Sequence, residues 1–166
     1  MNQILVPDFP NKTKQYQYMN VKMVGLLSAE EDWLANLSNA AALVWLLLED
    51  INWAGFYLMK DGQLKLGPFN GKPACTSIEV GKGVCGTAVA SKEVQLVKNV
   101  HDFPGHIACD SASNSEIVLP IIVDGQVVAV LDIDSPILNR FDEEDQAGLV
   151  KVVDTLVKYI DFSHVK

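Results

Sequence analysis

Residues 117–123 and 126–133 are two apolar runs joined by Asp124-Gly125, and this connection limits what the chain can become more than any other stretch. A two-residue turn with positive φ at both central positions suits Asp-Gly and folds the flanking runs into an antiparallel hairpin. Shorter strand-like segments precede it at residues 51–59, 64–66 (after Asp61-Gly62), 77–80 and 94–97. Helical periodicity brackets them. Residues 28–48 place Leu34, Leu37, Ala41, Val44 and Leu48 at helical spacing behind a Ser28/Glu31 capping box. A closing helix opens at Asp142 as N-cap, carries acidic residues in its first turn, and sets Leu149, Val152, Val153, Leu156 and Ile160 on one stripe. Helices at both ends of a run of hairpins predict an α+β fold: a central antiparallel sheet with the terminal helices on one face and ligand chemistry on the other.

At 166 residues, with no Gly/Ser- or Pro-rich linker and 49% hydrophobic against 20% charged residues, the chain is expected to be one domain with a full core. Residues 1–27 are expected as a partly helical N-terminal extension and residues 28–166 as the domain proper. The net charge of −8 argues against nucleic acid and membrane surfaces as partners. Arg140 is the only arginine, so no paired guanidinium groups exist to clamp an anion, and a ligand's anionic group is expected to meet backbone N–H groups. The first 18 residues lack the pattern of a signal peptide, and the longest apolar run, residues 40–48, is too short to span a bilayer. Three cysteines without a secretion signal predict reduced thiols in the cytoplasm, where disulfides are mostly catalytic or redox-sensing.

Cys75, Cys85 and Cys109 fall within 35 residues of short strands and loops. Each alone is more readily inert core filler than a catalytic thiol; three clustered in such surroundings weaken that reading. Cys85 follows Gly81-Lys82-Gly83-Val84, where a glycine turn feeds a short helix, and that helix N-terminus with Lys82 is expected to favour a thiolate. The Gly-x-Gly-x-x-Gly spelled by the same residues carries no dinucleotide site without a βαβ unit around it. Cys109 lies in a loop of small polar residues that leads into the strand from Ile117. Asp132 and Asp134, two apart at a strand end, project from one face. Their bland reading is a strand end entering solvent; their functional reading is a cavity for an ammonium group, in which a crowded carboxyl has a raised pKa and serves as an acid. Trp53 and Tyr57 share a strand face, as core or as pocket wall. His101, His106 and Cys109 lack the spacing of a zinc site, and the histidines are read as loop residues.

The segments Ile51-Asn52-Trp53-Ala54-Gly55-Phe56-Tyr57, Leu66-Gly67-Pro68-Phe69, residues 81–90, residues 106–120 and Leu131-Asp132-Ile133-Asp134-Ser135 together resemble the free methionine-(R)-sulfoxide reductases, a family of GAF-domain enzymes. The resemblance spans roughly residues 28–160. It implies a single GAF domain in which a thiolate attacks the sulfoxide sulfur of free L-methionine (R)-S-oxide, a sulfenic acid forms, and a second thiol captures it as a disulfide. Carried over residue by residue, Cys109 is the attacking thiol, Cys75 its resolving partner and Cys85 an additional or relay thiol. Glu116, Asp132 and Asp134 hold the substrate ammonium and assist protonation of the sulfoxide oxygen, Trp53 and Tyr57 wall the pocket, and backbone N–H groups around residues 115–117 meet the substrate carboxylate. The resemblance further implies recycling by thioredoxin or another dithiol, a homodimer, and no cofactor or metal. The alternatives are a GAF-like module that senses a small ligand or redox state without turnover, and a zinc-bound structural protein.

Overall fold

The computed structural model describes residues 4–165, so residues 1–3 and 166, the outer ends of the two expected segments, lie outside the described residues. The hairpin forms as its turn chemistry requires. Strands β5 (Ser115–Val123) and β6 (Gln126–Ser135) pair antiparallel around Asp124 and Gly125, whose φ angles are +50° and +76°. A second tight turn, Asp61-Gly62 with φ +50° and +77°, joins β1 (Trp53–Lys60) to β2 (Gln63–Gly71). Strand β1 pairs antiparallel with β6, while β3 (Ser77–Glu79) and β4 (Gln95–Val97) close the two edges in the order β3-β2-β1-β6-β5-β4.

Alternation along the strands divides the sheet into two chemistries. Ala54, Phe56 and Leu58 of β1, Ile117, Leu119 and Ile121 of β5, and Ala129, Leu131 and Ile133 of β6 enter the main core. Three helices cover this face: α1 (Lys12–Leu27), α2 (Trp33–Leu47) and α4 (Glu143–Tyr159). The opposite face receives only α3 (Gly83–Ser91) and the loops around it. Burying one apolar face under three helices leaves the other open enough to build a site.

The sequence expectation for the first helix is corrected at its start. Ser28 is the C-terminal cap of α1, and the N-cap of α2 is Asp32, whose carboxylate accepts from the Ala35 amide at 2.7 Å. Both residues suit a cap, but Asp32 stands directly before the inward stripe of Leu37, Ala40, Ala41, Val44 and Leu47, whereas Leu34 is 47% exposed. Residues 12–27, expected as a partly helical extension, form α1, and its Tyr16, Met19, Met23 and Leu27 are buried in the same core as α2 and α4. The Tyr16 ring lies on Gly148 of α4, where any Cβ would overlap it. The closing helix starts as expected, at an Asp142/Asp145 capping box.

Asp145 ties α1 to α4. Its carboxylate, 1% exposed, accepts from Lys12 Nζ at 2.6 Å, from Tyr16 Oη at 2.8 Å and from the Asp142 amide at 2.9 Å, with Arg140 Nη1 at 3.5 Å. Asp145→Ala leaves the buried Tyr16 hydroxyl without an acceptor and three donors without their anion, and is expected to cost about 3 kcal/mol. Urea denaturation checks this; a loss below about 1 kcal/mol, the scale of a surface ion pair, would show that the network is not rigid.

Candidate active site

The register of three adjacent strands assembles the site. Trp53 of β1 lies opposite Asp134 of β6, which lies opposite Glu116 of β5; in the next row of that face Gly55 is opposite Asp132 and Asp132 opposite Val118. Three carboxylates and an indole therefore meet on the face that α1, α2 and α4 do not cover. Gly55 is needed where it stands: a Cβ would overlap Phe69 on β2, and its absence lets Trp53 stack between Tyr57 (centroids 5.7 Å apart) and Phe69 (5.2 Å). Tyr57 Oη in turn donates to the Cys75 carbonyl at 2.9 Å and holds that loop against the wall.

Cys75 and Cys109 are joined as a disulfide, Cα to Cα 5.3 Å, bridging the 72–76 loop to the 103–114 loop at the pocket mouth. Cys85 lies on the first turn of α3, 4% exposed, and is the free thiol. Trp53, Tyr57, Cys85, Cys109, Glu116, Asp132 and Asp134 all line one pocket, with Ala74, Ile78 and Val84 as its apolar wall. Cys75 reaches it through its bond to Cys109. All eight site residues expected from the sequence are thus brought together.

Electrostatics departs from expectation at Cys85. Burial pushes its thiol well above the ordinary value, and Asp132, Glu116 and Asp134 push it further. One helix turn offsets too little of that for a thiolate, so the sequence expectation is corrected. Burial likewise raises Glu116 and Asp134, with the negative charge of Asp132 adding to both. Asp132 is pushed by burial to about 6, held from rising further by hydrogen bonds involving Cys85 and Glu116. Three carboxyls this close cannot all ionise, so the cluster holds protons at neutral pH. Asp132 Oδ1 and Trp53 Nε1, one acceptor and one donor on two pocket-lining residues, are buried without a hydrogen-bond partner among the described residues.

Two pocket residues escaped the sequence reading. His106, expected as an ordinary loop residue, lines the pocket with Nε2 3.8 Å from Glu116 Oε2, and burial lowers its pKa. No spacing signal marks it. Asp110 organises the Cys109 loop: its carboxylate accepts from the Ala112 amide at 2.9 Å and from Asn52 Nδ2 at 3.0 Å, and the Ala112 amide is the main reason its pKa is lowered. The Asp-Ser-Ala run that permits this turn was readable; the tie to Asn52 was not. The backbone anion site expected at residues 115–117 is corrected, because those residues lie inside β5 and pair with β6, and Glu116 and Ile117 pair also with β4. The first-turn amides of α3 at Gly83, Val84 and Cys85 instead border the pocket, and the N-cap Lys82 makes no side-chain capping bond. The zinc alternative on His101, His106 and Cys109 is not assembled: His101 pairs with Asn114 at 2.8 Å and Cys109 with Cys75.

The carboxyl cluster predicts an unusual pH dependence. A carboxyl whose folded pKa lies above its unfolded value binds extra protons in the native state. The stability it contributes is therefore full below about 4 and lost as pH rises through about 6. The empty protein is expected to gain stability from this cluster between about pH 7.5 and pH 5, with the lowered His106 acting in the opposite direction. Asp132→Asn removes a buried charge and is expected to raise stability at about pH 7.5 by up to 3 kcal/mol, the equivalent of moving from 3.8 to about 6, while flattening that slope. Urea midpoints of both proteins at the two pH values cancel the histidine contribution. A variant no more stable than wild type at the higher pH contradicts the assignment.

The GAF-domain family profile matches residues 32–161. Over 150 residues the chain is 54% identical to the free methionine-R-sulfoxide reductase of Escherichia coli K12, covering 90% of this chain and 91% of that protein. It is 45% identical over 156 residues to the enzyme of the same name from Saccharomyces cerevisiae, covering 89% and 87%. The X-ray structure of free methionine-R-sulfoxide reductase from Neisseria meningitidis in complex with its substrate superimposes with a TM-score of 0.91 at 38% identity, covering 96% of this chain and 95% of that one.

Proposed function

Because this chain belongs to the GAF-domain family and, within it, to the free methionine-R-sulfoxide reductases, we propose that it is an oxidoreductase that reduces free L-methionine (R)-S-oxide to L-methionine through its own cysteines. The observation that carries this is the position of the Cys75–Cys109 pair at the mouth of a pocket floored by the buried carboxyls of Glu116 and Asp132 and the half-buried one of Asp134.

In the proposed cycle the Cys109 thiolate attacks the sulfoxide sulfur. This forms a transient bond between Cys109 Sγ and the substrate sulfur; the protonated oxygen then transfers to Cys109 Sγ as the substrate S–O bond and the new S–S bond break, so that methionine leaves and Cys109 is a sulfenic acid, the sulfoxide having gained the two electrons that the thiol lost. A proton for the sulfoxide oxygen comes from the Glu116/Asp132/Asp134 cluster, which keeps protons at neutral pH for the reason given above. The same cluster, through the unpartnered Asp132 Oδ1, receives the substrate ammonium. The substrate carboxylate meets the first-turn amides of α3, and the aromatic wall of Trp53 and Tyr57 takes the side chain. Cys75 then attacks the sulfenic sulfur, releasing water and forming the disulfide, which an external dithiol, thioredoxin by chemical class, reduces.

Binding both ends of an amino acid explains selection of the free substrate, since a residue within a peptide has neither charge to offer. In the disulfide state the cavity is about 30 Å³, room for one or two waters. Substrate entry therefore follows reduction, which frees the 103–114 loop from Cys75. We assign the catalytic domain to residues 28–166 with 1–27 as its N-terminal extension, whose helix α1 packs into the same core, a homodimer as the assembly and the cytoplasm, where dithiols are available, as its place. No described helix is long and apolar enough to cross a membrane.

The experiment is incubation of the reduced protein and a dithiol with free methionine-(R)-sulfoxide, its S epimer and an N-acetylated, C-amidated derivative. Methionine is expected from the free R epimer alone. Equal turnover of the blocked derivative would remove the carboxyl cluster and the α3 amides from substrate binding, and no turnover of any would leave a sensor.

A further inference from the structure

Cys85 is the thiol that the proposed cycle uses least, and its surroundings suit another ligand. Its Sγ and one carboxylate oxygen each from Glu116 and Asp132 lie within 4.8 Å of one another. The three residues come from α3, β5 and β6 and are 4%, 6% and 5% exposed, so the packed fold holds them rather than a mobile loop. Asp132 Oδ1 has no hydrogen-bond partner among the described residues, and the lining of the pocket includes Asp110 and Asp134 as third and fourth acids, with His106, 3.8 Å from Glu116, in place of any lysine or arginine. A buried carboxylate oxygen without a donor is a standing cost that a bound cation removes.

Size and donor type narrow the cation. The cavity of about 30 Å³ admits a single ion with a water more readily than an amino acid. Around Zn²⁺, bonds of about 2.0 Å to oxygen and 2.3 Å to sulfur set ligand atoms some 3–4 Å apart, which these three reach by small side-chain rotations. One sulfur with two oxygens selects thiophilic ions of the zinc class over Mg²⁺ and Ca²⁺, which take all-oxygen shells.

We propose that the substrate-free pocket binds a thiophilic divalent cation, Zn²⁺ by class, through Cys85 Sγ, Glu116 and Asp132, and that the bound ion blocks the enzyme by occupying the place of the substrate ammonium. On ligation the Cys85 thiol and any protonated carboxyl release their protons to solvent, and water fills the fourth position. The cation site stands on geometry alone; the inhibition rests on the functional reading above.

Co²⁺ titration of the full-length disulfide form tests the site, because Cys75 and Cys109 are then bonded to each other and only Cys85 can supply a thiolate. Expected are one equivalent of Co²⁺ bound with a thiolate-to-cobalt charge-transfer absorption, displacement by Zn²⁺, loss of the absorption in Cys85→Ser, and affinity at least about 10-fold weaker in Asp132→Asn, both variants keeping the wild-type circular dichroism. In turnover assays Zn²⁺ is expected to inhibit competitively with the sulfoxide and a chelator to reverse it. Co²⁺ uptake without the absorption, or an absorption that survives Cys85→Ser, overturns the proposal. A protein that shows the absorption but turns over no sulfoxide retains the cation site and loses the functional reading; turnover without the absorption does the reverse.

Discussion

Cys109→Ser is expected to lower the rate of methionine formation by at least about 10⁴-fold, the scale on which removal of a covalent nucleophile acts in other enzymes. A serine hydroxyl is not ionised near neutral pH and is a poor nucleophile toward sulfur. No other thiol replaces it. Cys85 is 4% exposed and faces carboxyls that hold it protonated, and Cys75 lies outside the row of pocket-lining side chains. The comparison belongs under reducing conditions. Otherwise the variant also lacks a cross-link between residues 34 apart, whose effect on the unfolded chain is worth about 4 kcal/mol in the loop-entropy picture, and lost activity would mix with lost stability. Residual activity above a tenth of wild type would move the attack to another cysteine.

Cys75→Ser is expected to separate chemistry from recycling. The first turnover needs only Cys109 and the carboxyl cluster, so pre-reduced variant should release close to one methionine per chain at a rate within about 3-fold of wild type. Steady-state turnover with a dithiol is then expected to fall by about 100-fold, because the sulfenic acid has no partner at disulfide distance. Wild type brings the two Cα atoms within 5.3 Å; Cys85 is buried in the first turn of α3. A rapid-quench assay reads the first phase, and a sulfenic-acid-selective 1,3-diketone with mass measurement reads the trapped state. Undiminished steady-state recycling would show that Cys85, or the external dithiol directly, resolves the sulfenic acid.

Much of this site is written in strand alternation. Asp132 and Asp134 are two apart on β6, Trp53 and Tyr57 four apart on β1, and Asp124-Gly125 dictates how β5 meets β6. From these alone Asp132 and Asp134 share a face, but counting back from the turn would set Glu116 opposite Ile133; the register shift between Ile121 and Ile122 brings it opposite Asp134. The start of α2 was misread because Ser28 and Asp32 are both good caps, and local sequence does not say which helix end each serves. His106 and Asp110 were missed because their roles depend on partners 10 and 58 residues away, Glu116 and Asn52.

The residues therefore determined by themselves the α+β architecture and the antiparallel pairing, since turn φ angles and the two-residue strand period act over a few positions, whereas Glu116 and the cysteine roles entered only through the family resemblance. The Cys75–Cys109 bond is the pairing that the resemblance implied, and only the tertiary structure decided that Cys85 is kept protonated and that the first-turn amides of α3, rather than those of β5, border the pocket outside the strand ladder. Thiol pairing and ionisation depend on burial and on charges carried by other strands, and those are set when β1, β6 and β5 come into register under α3.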